Sequence, residues 1–298
     1  MGSVYGVSLK YIALSCVAGA AAQAVAVDTS VDLMAVPWLI LQVVLWHTCL
    51  VNGLVAVLFN LRLGMRLLGK DPLTGSMPLW SYFALAGFHL PTWLYTRLHH
   101  WKDCARGVPS ASEVEDGWWV GGRYAYELGK QWAGTVDLTC EFPEGCAKTT
   151  ERYLLLRCWD GVPPPPPLLE RAALFAVNAR AYGDVMVHCA HGRGRSTTVM
   201  CACLVKAGLY TSWEAALEAI RSKRQVVKLN RSMRSALAAW QAEYVALTPR
   251  LTAGECQVNG GVANLEASWW GGALWRRVRA ATHRVLQLPP IGESAKGE

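Results

Sequence analysis

From Leu33 to Leu61 the chain runs for 29 residues without an Asp, Glu, Lys or Arg. The heart of that run, 36–59, is long enough for a helix to cross a bilayer. Upstream, 11–27 is a second uncharged stretch between Lys10 and Asp28, richer in alanine and less apolar. It reads as a first span, or as a signal sequence whose small residues around Ala22, Ala24 and Ala26 suit cleavage. A third uncharged stretch, Pro72 to Thr96, carries His89, Pro91 and several aromatics. Over 76–96 it spans, re-enters, or lies at the interface. The pattern then changes. Short apolar runs predict strands at 118–121, 134–139, 153–156 and 185–188. Amphipathic runs predict helices at 124–131, 168–182, from about 197, at 213–223 and from Arg231 to Leu247. Thr211-Ser212-Trp213-Glu214 reads as a capping box for the helix at 213–223. Strands alternating with helices mean an α/β fold, a layered sheet with helices on both faces.

The expected organisation is a membrane region over 1–106, an α/β domain over 113–248, and a tail over 251–298. The tail begins as a linker. Its stretch 267–286 sets Trp269, Trp270 and Trp275 among Arg276, Arg277, Arg279 and Arg284. That reads as a basic amphipathic helix on a membrane surface, or as a helix packed on the domain, before a disordered end. Basic residues set orientation. The link 28–32 has Asp28 and Asp32 and no cation, whereas Arg62, Arg66 and Lys70 follow the second stretch. This places 28–32 outside and 62–71 in the cytosol. Arg97, Lys102 and Arg106 stay cytosolic only if the third stretch does not cross, which favours two spans plus an interfacial segment. The expected protein is therefore an integral membrane protein with its α/β domain facing the cytosol.

One string carries chemistry. His188-Cys189-Ala190-His191-Gly192-Arg193-Gly194-Arg195-Ser196 lies between a predicted strand and a predicted helix. A glycine-bearing turn there points backbone N–H groups into one hollow, and the helix N-terminus adds its positive end. Such a hollow binds phosphate through Ala190, His191, Gly192, Arg193, Gly194 and Ser196. A thiol beneath it ionises easily, because the same donors stabilise the thiolate. Arg195 grips two phosphoryl oxygens with its planar fork.

The string resembles the signature of the cysteine-based phosphatases, the protein-tyrosine and dual-specificity superfamily: His-Cys, five residues, Arg, then Ser or Thr. The resemblance covers roughly 113–248, the compact size of dual-specificity domains. It implies that Cys189 attacks phosphorus and that water hydrolyses the resulting cysteinyl-phosphate. It implies an aspartic acid roughly thirty residues upstream, on a mobile loop, to protonate the leaving oxygen. Asp160 lies 29 residues before Cys189, ahead of Gly161 and of a five-proline run, Pro163 to Pro167, that reads as a rigid spacer. Asp137 and Asp184 compete for the role. The resemblance further implies that Ser196 assists the second step, though it also suits a helix N-cap, and that His188 is a supporting residue. No metal or cofactor is expected.

The leading expectation is a membrane-anchored phosphatase for phosphotyrosine, phosphoserine or phosphothreonine in proteins. The alternatives are a phospholipid phosphatase, for phosphoinositides or phosphatidylglycerophosphate, and a membrane-tethered phosphate-binding module without turnover. Arg193, and His191 as a third cation, favour the lipid alternative; Ala190, where lipid-acting relatives often carry Lys, weighs against it. The net charge of +7, part of it in the cluster from Arg221 to Arg234, suits phosphorylated substrates and anionic membranes. No recognition motif accompanies it, so nucleic acid is not an expected partner. The ten cysteines fit neither a disulfide framework nor a zinc site.

Overall fold

The computed structural model describes residues 4–25 and 36–245. The acidic link at 28–32 and the tail helix expected at 267–286 lie outside them. The first two helices are α1 (Val4–Ala24) and α2 (Val36–Asn60). Both are long and apolar enough to cross a membrane, by length and composition. They run antiparallel. Gln42 Nε2 donates to the Ala22 carbonyl at 3.1 Å, Ser15 Oγ to the Cys49 carbonyl at 2.8 Å, and Asn60 Nδ2 to Ser8 Oγ at 2.7 Å. The stripe Ser8, Ser15, Gly19 and Ala22 thus faces α2, and small residues there let the helices approach closely. Away from α1, α2 exposes Trp38, Leu39, Ile40, Val43, Val44, Leu50, Leu54 and Val57. So large an apolar surface marks contact with something other than water.

The third uncharged stretch folds as two helices, α3 (Leu79–Ala84) and α4 (Ala86–Ala105), broken at Leu85. Pro91 lies inside α4 and cannot donate to the Gly87 carbonyl four residues back. Asn52 Nδ2 of α2 donates to that carbonyl at 2.8 Å instead, which fastens α4 to the hairpin.

The sheet has five strands in the order β1-β2-β5-β3-β4: β1 (Ala111–Glu115), β2 (Trp118–Gly121), β3 (Gly134–Thr139), β4 (Tyr153–Cys158) and β5 (Val185–His188). Only the β1–β2 pairing is antiparallel. Alternation assigns the faces. Val136, Leu138, Leu154, Leu156, Val185 and Val187 point into the main core. That core is closed by α5 (Pro166–Arg180), α6 (Arg195–Lys206), α7 (Trp213–Lys223) and α8 (Arg231–Tyr244). Met186, Trp119 and Trp132 point the other way, into a smaller cluster with Ala125 beneath a 3-10 helix, Arg123–Leu128.

Several boundaries differ from the sequence pattern, β4 among them, which runs to Cys158 rather than 156. The stretch expected as a helix over 124–131 is this shorter 3-10 turn, ended by Gly129 in the left-handed region at φ 63°. β1 was not legible as a strand; its polar edge sequence, Ser112, Glu113 and Glu115, hides the pairing and carries a bulge. α5 starts at Pro166 rather than Leu168, because proline fits the first helical position. α6 starts at Arg195 rather than at 197, so the arginine belongs to its first turn.

Candidate active site

The four parallel strands end on one side of the sheet, and the loops leaving β3, β4 and β5 there deliver Glu141, Asp160 and Cys189. Cys189 follows β5, its N–H bonded to the Gly121 carbonyl at 3.2 Å. Gly192 is in the left-handed region at φ 68°, and a Cβ there would lie 2.4 Å from the Gly121 carbonyl carbon. The loop therefore needs glycine at this point. Arg224 braces it from behind, donating from Nε to the Gly192 carbonyl at 2.8 Å and from Nη1 to the Pro109 carbonyl at 2.9 Å. Of the basic cluster from Arg221 to Arg234, this arginine alone is buried, while Lys223, Lys228, Arg231 and Arg234 are exposed.

Cys189 is 3% exposed, and its Sγ lies 3.4 Å from Ser196 Oγ. Burial raises its pKa. The Arg195 guanidinium, the Ser196 hydroxyl and the backbone N–H groups of Ser196 and Arg193 outweigh burial and hold the thiol below its usual range. Four other buried thiols go the opposite way: burial pushes up Cys140, Cys146, Cys201 and Cys203. Ser196 is not the helix N-cap. That position is Gly194, and the serine hydroxyl is turned to the sulfur.

Arg195 is buried and fully oriented. Nη2 meets Glu141 Oε1 at 2.7 Å, and Nη1 donates to the carbonyls of Cys158 at 2.6 Å and Leu138 at 3.0 Å. Asp160 Oδ1 is 3.3 Å from Nη2, with 39% of its side chain exposed. Burial raises the Asp160 carboxyl, and Arg195, then His191 and Lys10, bring it below its usual range. The loop carrying it is pinned on both flanks rather than free about Gly161. Trp159 Nε1 donates to the Leu63 carbonyl at 2.7 Å, and Asn230 Nδ2 to the Gly161 carbonyl at 2.7 Å.

The competing aspartates are engaged elsewhere. Asp184 pairs with Lys130 at 2.7 Å at the opposite end of β5. Asp137 is buried and bonded by Lys70 Nζ, by the Thr139 N–H at 2.7 Å and by the Tyr153 hydroxyl at 2.9 Å. Burial raises its carboxyl, and Lys70 and His188 drive it well below the carboxylate range. His188 Nε2 lies 2.7 Å from Glu144 and 3.9 Å from Asp137. Burial lowers its pKa, but Glu144 and Asp137 prevail and push it up to about 9. Asp137, Glu144 and His188 group closely enough to suggest a cation site. Lys70 and a protonated His188 supply the positive charge there.

Two residues of the loop do not present free cations. Arg193 Nη2 clamps both Asp103 oxygens, at 2.6 and 2.8 Å, tying the loop to α4. His191 stands edge-on to His99 at 4.5 Å, and burial lowers it to about 4, so its ring is neutral near pH 7. Glu141, Glu144, Asp103, Lys70 and Arg224 were not legible as site residues. The one local signal was Glu141, a lone charge between Cys140 and Phe142 just past β3.

A description of the dual specificity phosphatase catalytic domain matches residues 168–243. No curated protein matches the chain. Among solved structures, human DUSP28 is similar at 22% identity, with TM-score 0.41, over 45% of this chain and 95% of that one. PTPMT1 in complex with PI(5)P is similar at 22% identity, with TM-score 0.39, over 46% of this chain and 98% of that one. Tk-PTP in its active form is similar at 23% identity, with TM-score 0.39, over 45% and 97%. The family match falls on the helix before the cysteine loop, the loop itself and the helices after it, so this part of the chain is a catalytic domain of the dual-specificity phosphatase type.

Proposed function

We propose that the protein is a membrane-anchored phosphomonoester hydrolase that works through a cysteinyl-phosphate. Cys189 attacks phosphorus as the thiolate, forming the S–P bond while the P–O bond to the leaving group breaks. Asp160 gives its proton to the departing oxygen. Water then attacks phosphorus, and the same carboxylate takes a proton from it as the thiolate leaves with inorganic phosphate as the other product. Ser196 Oγ, 3.4 Å from the sulfur, stabilises the thiolate at that second departure. Arg195 holds two phosphoryl oxygens, and the N–H groups of 190–195 hold the others. The observation that carries this reading is Arg195, locked by Glu141 and standing between the low-pKa thiol of Cys189 and the carboxyl of Asp160. In the free enzyme Arg195 keeps Asp160 ionised. A bound phosphoryl dianion neutralises that guanidinium and adds negative charge, which raises the carboxyl toward the protonated form a general acid needs.

In this reading α1 and α2 are the anchor and 113–248 carries the chemistry. Asn60 meets Ser8 at the same end of the hairpin where Trp159 reaches the Leu63 carbonyl, so the catalytic half lies at the end opposite Ala24 and Val36. Lys10, Arg62 and Arg66 lie toward that end, which favours a cytosolic catalytic domain.

The full chain in detergent tests the reading. Turnover of p-nitrophenyl phosphate should vanish in Cys189→Ser while phosphate binding persists. Asp160→Ala should lower kcat by roughly 10²–10⁴-fold on phenyl phosphate and much less on the nitrophenyl ester, whose leaving group needs no proton. Turnover surviving in Cys189→Ser, or equal losses on both esters, rejects the assigned roles. Phosphate binding by the wild type with no turnover establishes the binding-module alternative.

A further inference from the structure

The hollow over Cys189 opens into a cavity of about 420 Å³ whose floor includes Asp160, Ala190 and His191. Its walls come from outside the catalytic domain. On one side stand Val7, Leu14 and Val17 of α1; on the other, Pro91 and Thr92 of α4. The α1 residues recur at helical spacing on a face distinct from the stripe that packs on α2. A first helix built only as an anchor needs one packing face; this one has a second, apolar face directed at the catalytic floor.

The cavity has a depth and a direction. From Val7 to Val17 is ten residues, about 15 Å along a helix rising 1.5 Å per residue. That is roughly half of a ~30 Å hydrocarbon core, or one leaflet. At its far end Val17 is 68% exposed, so the cavity opens on the apolar outer surface of α1 rather than closing. At its near end the charges are few. Arg193 is spent on Asp103 and His191 is neutral. The cavity lining contributes one lysine or arginine, Lys10, whose Nζ lies 4.3 Å from the Tyr95 ring centre, and Arg195 meets the floor at Asp160. One phosphoryl group is matched by that set; a head group bearing several is not. A phosphorylated protein side chain would leave the apolar depth unfilled.

Resting on the hydrolase reading above, we infer that the substrate is a lipid monophosphate drawn from the leaflet next to the catalytic domain. Its phosphate occupies the hollow over Cys189, and its hydrocarbon lies between α1 and α4. The helices that anchor the protein thereby build half of its substrate site, and Leu14 is a specificity-determining residue.

The test uses the full chain reconstituted in phosphatidylcholine vesicles. Substrates are butyl, octyl, dodecyl and hexadecyl monophosphate, dioleoyl phosphatidate, a phosphatidylinositol monophosphate, a phosphotyrosine peptide and p-nitrophenyl phosphate. For the wild type, kcat/KM should rise roughly two- to fourfold per buried methylene until the tail outgrows the cavity. Leu14→Trp, which fills the cavity, should lower the ratio of hexadecyl to nitrophenyl kcat/KM about tenfold, chiefly through KM. Leu9→Trp, on an exposed part of α1 away from the cavity, controls for bulk in the helix and for partitioning into vesicles. A rate independent of chain length, equal effects of the two Trp variants, or preference for the peptide or the inositol lipid overturns the inference while leaving the hydrolase intact. Failure on every substrate, the nitrophenyl ester included, overturns both.

Discussion

Replacing Lys70 by Met should destabilise the catalytic half severely, although Lys70 lies far upstream of every residue that does chemistry. Lys70 and Asp137 side chains are both 0% exposed and directly paired. Lys70 Nζ also donates to the Thr139 carbonyl at 3.1 Å and to Thr139 Oγ1 at 2.9 Å. Methionine keeps the length of the side chain and removes the charge. Asp137 would retain the Thr139 N–H and the Tyr153 hydroxyl, but would be a buried carboxylate facing Glu144 with His188, 3.9 Å away, as its cation. Breaking a buried pair from one side costs about 3–5 kcal/mol. The residual His188 charge argues for the lower end. At about 2–4 °C per kcal/mol for a unit of this size, the lower end corresponds to a fall in Tm of roughly 6–12 °C. The assay is tryptophan fluorescence of the full chain in detergent, heated at one fixed scan rate. The double variant Lys70→Met with Asp137→Asn should recover most of the loss, because replacing both ions by neutral groups is close to neutral. A fall below about 2 °C in the single variant, the size of an exposed pair, refutes the reasoning. So does a double variant that falls by the sum of its singles, since residues that act as a pair cannot add independently.

Glu141→Gln should raise KM for p-nitrophenyl phosphate roughly 10- to 100-fold, because Arg195 loses a charge-assisted bond of about 1.5–3 kcal/mol; an unchanged KM would show that the two backbone carbonyls suffice to orient the guanidinium. His188, pushed up to about 9, contributes stability fully below its ordinary value of 6.5, and that contribution fades as pH rises toward 9. Tm of the wild type should therefore fall across that window by an amount worth about 3 kcal/mol at most, and the slope should flatten in His188→Gln; equal slopes would assign it to another group. A fragment beginning at 108 keeps Cys189, Arg195 and Asp160 but loses Lys70, the Leu63 carbonyl and Asp103, and should unfold more readily than one beginning at 62, as urea titration of the two will read.

What the sequence disclosed of the site was its local part. Cys189 and Arg195 are six positions apart on a single loop, and the loop's shape follows from its glycines and from the strand and helix that bound it. Asp160 was singled out through the family resemblance, which implies an aspartate roughly thirty residues before the cysteine, and the structure sets its carboxyl 3.3 Å from Arg195. The residues that orient these groups were not legible because each is distant along the chain. Glu141 precedes Arg195 by 54 positions, Asp103 precedes Arg193 by 90, and Lys70 precedes Asp137 by 67. No periodicity announces such pairs. Arg224 was hidden differently, among exposed cations of the same type, and only its burial against the Gly192 carbonyl separates it from them. The sheet was legible where strands are apolar on both faces and illegible at β1, whose polar edge is what an edge strand requires.

The same distances explain why the apolar hairpin cannot be treated as a detachable tether. Phe59, at the end of α2, packs tilted against Trp159 and Phe88 of α4 packs edge-on to it, with ring centres 6.0 and 6.1 Å away. Trp159 is the residue before Asp160, and its indole N–H is held by the first turn beyond α2. The Arg193–Asp103 clamp ties the cysteine loop to α4, and Asn52 ties α4 to α2. The acid loop and the thiolate loop are therefore both fastened to the same two helices. A shift of α2 against α4 would act on Trp159 and Asp103 together, changing the separation of Asp160 from Cys189 without touching either side chain. The segment leading into α8 also reaches both loops, through Asn230 Nδ2 on the Gly161 carbonyl at 2.7 Å and the Lys228 N–H on the Arg193 carbonyl at 2.9 Å. The position of the hairpin and the placement of Asp160 relative to Cys189 are thus coupled through Trp159 and Asp103.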